Sequence, residues 1–408
     1  MNNTETLTKS KLEVARVLPQ PNADFYHLAD VLTTDERQKL ERVRAFMKSN
    51  VAPIINKYWL EDSFPFEIIP GLRDLNITGG GFEGYECAGG STLFNGFVAM
   101  EIAKVDSSIA TFFGVHSGLA MGSIYLGGSE EQKQKWLPRM ARMEIIGSFG
   151  LTEPLVGSGT GGGLMTTAKR EGDTWTLNGQ KKWIGNATWG DVTVIWARDL
   201  ADNQVKGFIV ENKKTPGFNV EKIQNKMALR VVQNALITLE DCHVPEDNRL
   251  QMDVSFRDTA NVLRLTRAGV AWESVGCMMG AYEYALAYAQ QRKQFGKLIG
   301  NFQLIQDLLV KMLGNITACL SMVVELSRIQ DAGNVKDEQA SLAKEFCTVK
   351  MRESVAYARE IFGANGILLD YNVSRFFADA EALYSYEGTR EMNTLIVGKA
   401  ITGLSAFV

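Results

Sequence analysis

Near the end of this 408-residue chain, Leu383 to Met392 read LYSYEGTREM, where one carboxylate, Glu387, stands between Tyr386 and a Gly-Thr pair. Two kinds of chemistry suit an acidic residue in that setting. At the start of a helix it stabilises the first turn against the helix dipole. In a dry pocket the charged form is penalised instead, so the pKa climbs toward working pH and the group becomes a general base. These ten residues leave both readings open. Other reactive types are sparse. His27, His116 and His243 lie far apart, and Cys87, Cys242, Cys277, Cys319 and Cys347 form no CxxC pair. A metal centre, a histidine triad and a disulfide framework are therefore not expected, and the three histidines read as structural.

A chain of this length exceeds one simple core and implies two or three folding units with room for a large ligand. Hydrophobic residues make up 45% and charged residues 22%, the balance of an ordinary globular protein. The net charge of −4 and the lack of a Lys/Arg run argue against nucleic acid as a partner. No stretch reads as long and apolar enough for a membrane span, and the polar first thirty residues lack the apolar core of a secretory signal. A cytoplasmic location is expected.

The elements that must position Glu387 fall into three blocks after a leader over 1–28. From 29 to 145 the punctuation is helical: Leu40, Val43, Phe46 and Met47 recur at three- and four-residue intervals behind Thr33, and Ser129 with two acidic residues opens another helix. From 146 to 252 the period becomes two, in TWTLNGQKKWIG, VTVIWARD, VKGFIVEN and ALITLEDCHVP, which predicts an antiparallel sheet or small barrel. Long helical patterns return over 253–408. The order helices, strands, helices is α+β and excludes a doubly wound nucleotide-binding fold. The run GSGTGGG (Gly157 to Gly163) contains GxGxxG spacing but leads into a sheet, so it is a weak match to a phosphate loop.

Four motifs lie in order on this frame: FGLTEP (Phe149 to Pro154), KKWIGN (Lys181 to Asn186), RKQFG with a downstream Phe-Gln pair (Arg292 to Gly296, Phe302, Gln303), and GANG followed by YEGT (Gly363 to Gly366, Tyr386 to Thr389). Together they resemble the acyl-CoA dehydrogenase and oxidase flavoproteins over nearly the whole chain. The texture is nearest the glutaryl-CoA dehydrogenase and plant short-chain acyl-CoA oxidase branch. The resemblance implies an N-terminal helical domain, a central β-domain and a C-terminal four-helix bundle, with FAD between domains and a homotetrameric assembly. It implies α,β-desaturation of a short acyl-CoA, with hydride passing to flavin N5. The electrons would go to an electron-transfer flavoprotein or, in an oxidase, to O₂. An unusual or carrier-protein-bound acyl group is a further alternative.

The same resemblance assigns roles residue by residue. Phe149, Leu151, Thr152 and Ser158 would meet the flavin, and Trp183, Ile184 and Gly185 would form its wall. Arg292, Phe295, Phe302 and Gln303 would reach the adenosine-diphosphate half of an FAD bound by the neighbouring subunit. Guanidinium suits that task because its donor fork matches paired phosphate oxygens. Glu360, Gly363 and Ala364 would close over the same dinucleotide, and Thr389 and Phe407 are further cofactor positions. Glu387 becomes the catalytic base, its own N–H helping to polarise the thioester carbonyl. Ser158, Thr166 and Thr167 lie along the CoA path. Ala110, Thr266, Arg267 and Gly388 fall at the acyl and thioester positions.

Several residues depart from the family pattern. Many members have Gln and Gly where this chain has Glu360 and Ala364, and Gly159 replaces an aspartate in the glycine run, adding backbone freedom. Glutaryl-specific relatives carry an arginine after VDS, where VDSSIATFF has Ala110. A buried distal carboxylate without that cation would cost several kcal/mol, on the order expected for an unpaired buried charge. Phe112 and Phe113 suggest an apolar, short pocket, and a dicarboxylyl-CoA is not expected as substrate.

Overall fold

Thr33 accepts a hydrogen bond from the Glu36 N–H while the Glu36 carboxylate accepts from the Thr33 N–H, a reciprocal cap that starts the first long helix where the sequence places it. The structure is a computed structural model that describes residues 18–407. Most of the expected leader lies outside the described residues; its described part turns where the Asp24 carboxylate accepts from the Leu28 and Ala29 N–H groups. Seven helices follow: α1 (Thr34–Phe46), α2 (Ile55–Glu61), α3 (Ile69–Asp74), α4 (Thr92–Ala103), α5 (Ser107–Phe113), α6 (Met121–Gly127) and α7 (Glu130–Ala141). A π-helical stretch, Gly114–Ala120, joins α5 to α6. Ser129 caps α7 with Gln132 as its reciprocal partner.

The central block holds β1 (Gly147–Gly150), the one-turn α8 (Thr160–Gly163), β2 (Thr167–Glu171), β3 (Thr174–Gly185), β4 (Val192–Asp199), β5 (Val205–Glu211), β6 (Phe218–Lys222) and β7 (Asn234–Pro245). Pairing is mostly antiparallel, β2 with β3, β3 with β7, β4 with β5 and β6 with β7. It is not purely so: β4 runs parallel to both β1 and β2. Strand alternation reports which face is buried and carries no information about the direction of a neighbouring strand, so this feature was not legible beforehand.

The C-terminal block comprises α9 (Phe256–Ala289), the hairpin β8 (Lys293–Gln294) with β9 (Lys297–Leu298), α10 (Gln303–Asp331), α11 (Asp337–Ile361), α12 (Val373–Ser385) and α13 (Arg390–Thr402). Its core is continuous with that of the N-terminal helices, since Phe97, Phe112 and Trp272 share one buried cluster with Met351 and Phe376. Gly276 and Gly280 permit this: a Cβ at either would stand 2.2 Å from the carbonyl oxygen of Met100 or Lys104, so only glycine lets α9 lie this close to α4.

Two helical stretches, Ser107–Gly127 and Gln303–Asp331, do reach the length and apolarity of a membrane span, which corrects the expectation that none would. Part of their apolar surface packs inside the fold: Phe112 is fully buried in the shared core, and Cys319, Leu320 and Val323 face the bundle, while Leu304 and Val310 are exposed.

Candidate active site

The helix after Glu387 is capped by Thr389, whose hydroxyl accepts from the Met392 N–H. Glu387 lies outside that cap with a left-handed backbone (φ 54), which turns its side chain away from α13 toward α9. There the Thr266 hydroxyl donates to Glu387 Oε2 at 2.8 Å. The carboxylate is therefore not a helix cap. Its surroundings raise its pKa: burial disfavours the charge, opposed by the Thr266 hydrogen bond and by the cations Arg267 and Lys344. Arg267 forms no ion pair among the described residues, and its Nε is buried without a partner.

Lys344 explains how the turn is held. It projects from α11, is fully buried, and its ammonium donates to the carbonyls of Tyr384 at 2.8 Å and Gly388 at 2.7 Å. Those carbonyls lie on either side of Glu387, so one buried cation closes the loop that presents it. Asn393 donates to the Gly388 carbonyl as well, at 2.9 Å. Burial draws Lys344 down to about 8, with Glu387 opposing the shift.

The first two motifs meet through another buried pair. Lys181 of KKWIGN donates to Glu153 of FGLTEP at 2.8 Å and to the Leu151 carbonyl at 3.0 Å, while Glu153 accepts from the Met165 and Thr166 N–H groups. The Lys182 N–H closes on the Thr152 carbonyl at 2.8 Å. Burial lowers Lys181 to about 8; Glu153, though desolvated, is held below its usual value by Lys181. Past a register shift in β3, Trp183 adopts φ 68 and is 53% exposed. A broad indole standing clear of the core beside Gly185 suits a planar ring system as ligand.

These positions connect to Glu387 through the π-helical stretch. Gly185 packs beside Val115, and Asn186 donates to the Phe112 carbonyl at 3.1 Å. Gly118 in turn faces Thr266. Phe149, Leu151, Thr152, Trp183, Ile184, Gly185, Thr266, Arg267 and Gly388 thus belong to one region. Ala110 is buried on α5. Ser158 is exposed on the glycine run, which the Arg198 guanidinium holds by donating to the Gly162 and Leu164 carbonyls.

The structure does not bring the third motif to that region. Arg292, Phe295, Phe302 and Gln303 lie beyond the C-terminal end of α9, about 34 Å along the helix from Thr266 at ~1.5 Å per residue. Glu360, Gly363 and Ala364 join them there, because Phe362 stacks on Tyr288 at 4.1 Å and Asn365 donates to the Tyr288 hydroxyl. Phe295, at the hairpin tip, is 93% exposed. Phe407 follows α13 and is partly exposed.

His116 carries a structural role: its Nδ1 accepts from the Gly147 N–H and its other ring nitrogen meets the Met140 carbonyl, both at 3.0 Å. Burial lowers it to about 4, so the ring is neutral. Lys344 and Glu273 are the functional candidates that sequence reasoning missed. Each lies in a long helix of ordinary composition, and the only available signal is a charge at a helix position whose neighbours are apolar.

The fold and this site define a flavoprotein dehydrogenase architecture. Family models for acyl-CoA dehydrogenases match the N-terminal domain at residues 33–144, the middle domain at 148–242 and the C-terminal domain at 256–402. A probable acyl-CoA dehydrogenase of Bacillus subtilis is 31% identical over 91% of this chain and 98% of its own. The glutaryl-CoA dehydrogenase structure from Mycobacterium smegmatis superposes with a TM-score of 0.91 at 37% identity, covering 95% of this chain and all of that one. Butyryl-CoA dehydrogenase of Megasphaera elsdenii gives 0.86 at 30% identity over 91% and 98%. The chain belongs to the acyl-CoA dehydrogenase family. It is an FAD-dependent oxidoreductase of that family.

Proposed function

We propose that this enzyme removes hydrogen across the α,β bond of a short, uncharged acyl-CoA, with Glu387 taking the α-proton. The observation that carries this reading is the seat of Glu387: a half-buried carboxylate with raised pKa, outside any helix cap, fixed on Thr266. The α-proton of a thioester is barely acidic, so the base must be poorly solvated until substrate arrives. Thr266 engages Oε2, and Oε1 has no hydrogen bond among the described residues and can receive the proton. Arg267 and Lys344 oppose the rise that burial imposes on its pKa. The adjacent Glu387 N–H makes no hydrogen bond to the described residues and is available to a thioester oxygen.

FAD, when bound, supplies the electron acceptor. Trp183 with Gly185 would hold its ring, and the FGLTEP turn, pinned by Lys181, would meet its polar edge. Because Arg292, Phe295 and Gly363 stand so far from Glu387, the adenosine-diphosphate half is read as held by a neighbouring copy, which favours a homotetramer. We infer a cytoplasmic enzyme that passes electrons to an electron-transfer flavoprotein. Ala110, buried and uncharged, argues against a distal carboxylate on the substrate.

The test is an anaerobic titration of the FAD-loaded enzyme with straight-chain acyl-CoAs, followed at the flavin absorbance band. Glu387→Gln should keep its flavin and lose bleaching by at least ~10²-fold in rate. Unimpaired bleaching in that variant, or none in the parent with any thioester, overturns the reading. Peroxide formed rapidly on readmitting air would reassign the enzyme as an oxidase.

A further inference from the structure

Seven residues beyond Thr266, two helical turns deeper along the same face of α9, stands a second carboxylate, Glu273. It is 7% exposed and has no cationic partner among the described residues. The Tyr386 hydroxyl donates to its Oε2, and Tyr386 is the residue that precedes the base. Its Oε1 accepts no hydrogen bond from the described residues and is not fully enclosed. A Cβ placed on Gly269, between Thr266 and Glu273, would meet nothing within 4 Å, while one on Gly114 would stand 3.3 Å from Glu273 Oε1. The space beside Gly269 thus lies between Thr266 and Glu273 on one face of α9, and Glu273 Oε1 faces Gly114.

An apolar tail reaching this end would leave Oε1 desolvated and unpaired, which disfavours it, most of all when the carboxylate is charged. A tail ending in a carboxylate would meet a like charge. A tail ending in a hydroxyl would satisfy Oε1 whether Glu273 is ionised or neutral. Burial, countered by Tyr386 and reinforced by Glu387, pushes Glu273 up to about 7, so both forms exist near neutrality.

We propose that Glu273 sets acyl specificity, selecting short acyl-CoA substrates whose distal end carries a hydroxyl group. This rests on the desaturation reading and deepens it. Glu273 is neither a base nor a contact of the reacting carbons; it recognises the tail.

The experiment compares kcat/KM of the FAD-loaded enzyme for ω-hydroxyacyl-CoAs and unsubstituted acyl-CoAs of equal length, from four to six carbons, with glutaryl-CoA as the charged control. The best hydroxylated thioester should exceed its unsubstituted counterpart at least ~10-fold, and glutaryl-CoA should be the poorest. In Glu273→Ala the ratio should fall to about one, while Glu273→Gln, which can still hydrogen-bond, should keep part of it. Equal kcat/KM for both series in the parent enzyme overturns the proposal and leaves Glu273 as an anchor for Tyr386, whether or not the variants fold. A Glu273→Ala variant that slows both series equally, with the ratio intact, overturns it too. If no thioester bleaches the flavin, the desaturation reading itself has failed.

Discussion

The Thr266 hydroxyl on α9 and the Glu387 carboxylate before α13, 121 residues apart in sequence, meet at 2.8 Å. The same hydroxyl lies 3.2 Å from the Leu263 carbonyl, so it has an alternative acceptor when the carboxylate is protonated. Its hydrogen bond favours the charged form of Glu387. Removing it in Thr266→Ala should raise the Glu387 pKa, and the acid limb of the kcat/KM profile should move up by about one pH unit. Activity at pH 6 then falls more than activity at pH 8. An unmoved limb would mean that Thr266 does not tune the base.

Lys344→Met should disturb catalysis without disturbing flavin binding. The substitution leaves the Tyr384 carbonyl without its donor, at a cost of about 1–3 kcal/mol, and leaves the Gly388 carbonyl only its Asn393 hydrogen bond. The loop that presents Glu387 loosens, so kcat should drop more than KM rises, with thermal unfolding moved to lower temperature. A drop confined to FAD content would contradict this placement.

Breaking the pair that joins FGLTEP to KKWIGN should be costlier. Lys181→Met strands Glu153 in a buried site, a change of about 3–5 kcal/mol. The purified variant should be colourless or nearly so, and its unfolding midpoint in urea should fall sharply. A yellow variant of parental stability would show that the pair is dispensable.

Asp253 gives the fold a pH dependence. Its carboxyl is 2% exposed, packs against Gly127 and has a buried, unpartnered Oδ2; burial, with Asp258 adding to it and Arg249 opposing, pushes it up to about 8. The folded chain binds this proton more tightly than the unfolded chain, whose aspartate titrates near ~4. Stability from this group is therefore complete below about pH 4 and lost as the pH climbs through about 8. Asp253→Asn should raise the melting temperature clearly at pH 8.5 and little at pH 5. Equal gains at both would refute the assignment.

The reading of the pocket as simply apolar was incomplete. Phe112 is indeed buried among Phe64 and Trp189, away from solvent. Near the base stand Glu273 and the Tyr386 hydroxyl that donates to it. Nothing local distinguishes Glu273 from Glu283, about three turns further along α9, where Lys104 supplies a partner at 2.7 Å. The partner decides the chemistry, and partners come from other elements.

By itself, the sequence determined the helix–strand–helix order, the caps at Thr33 and Ser129, and the run of motifs that marks the family, because periodicity, capping and short motifs are properties of neighbouring residues. Tertiary structure alone decided that Thr389, not Glu387, caps α13, that Lys344 clamps the loop, that β4 runs parallel to β1, and that Arg292 stands a helix-length away from the base. Each of these depends on which distant groups share a small volume, and the free energy of a buried charge or hydrogen bond is set by that company rather than by position along the chain.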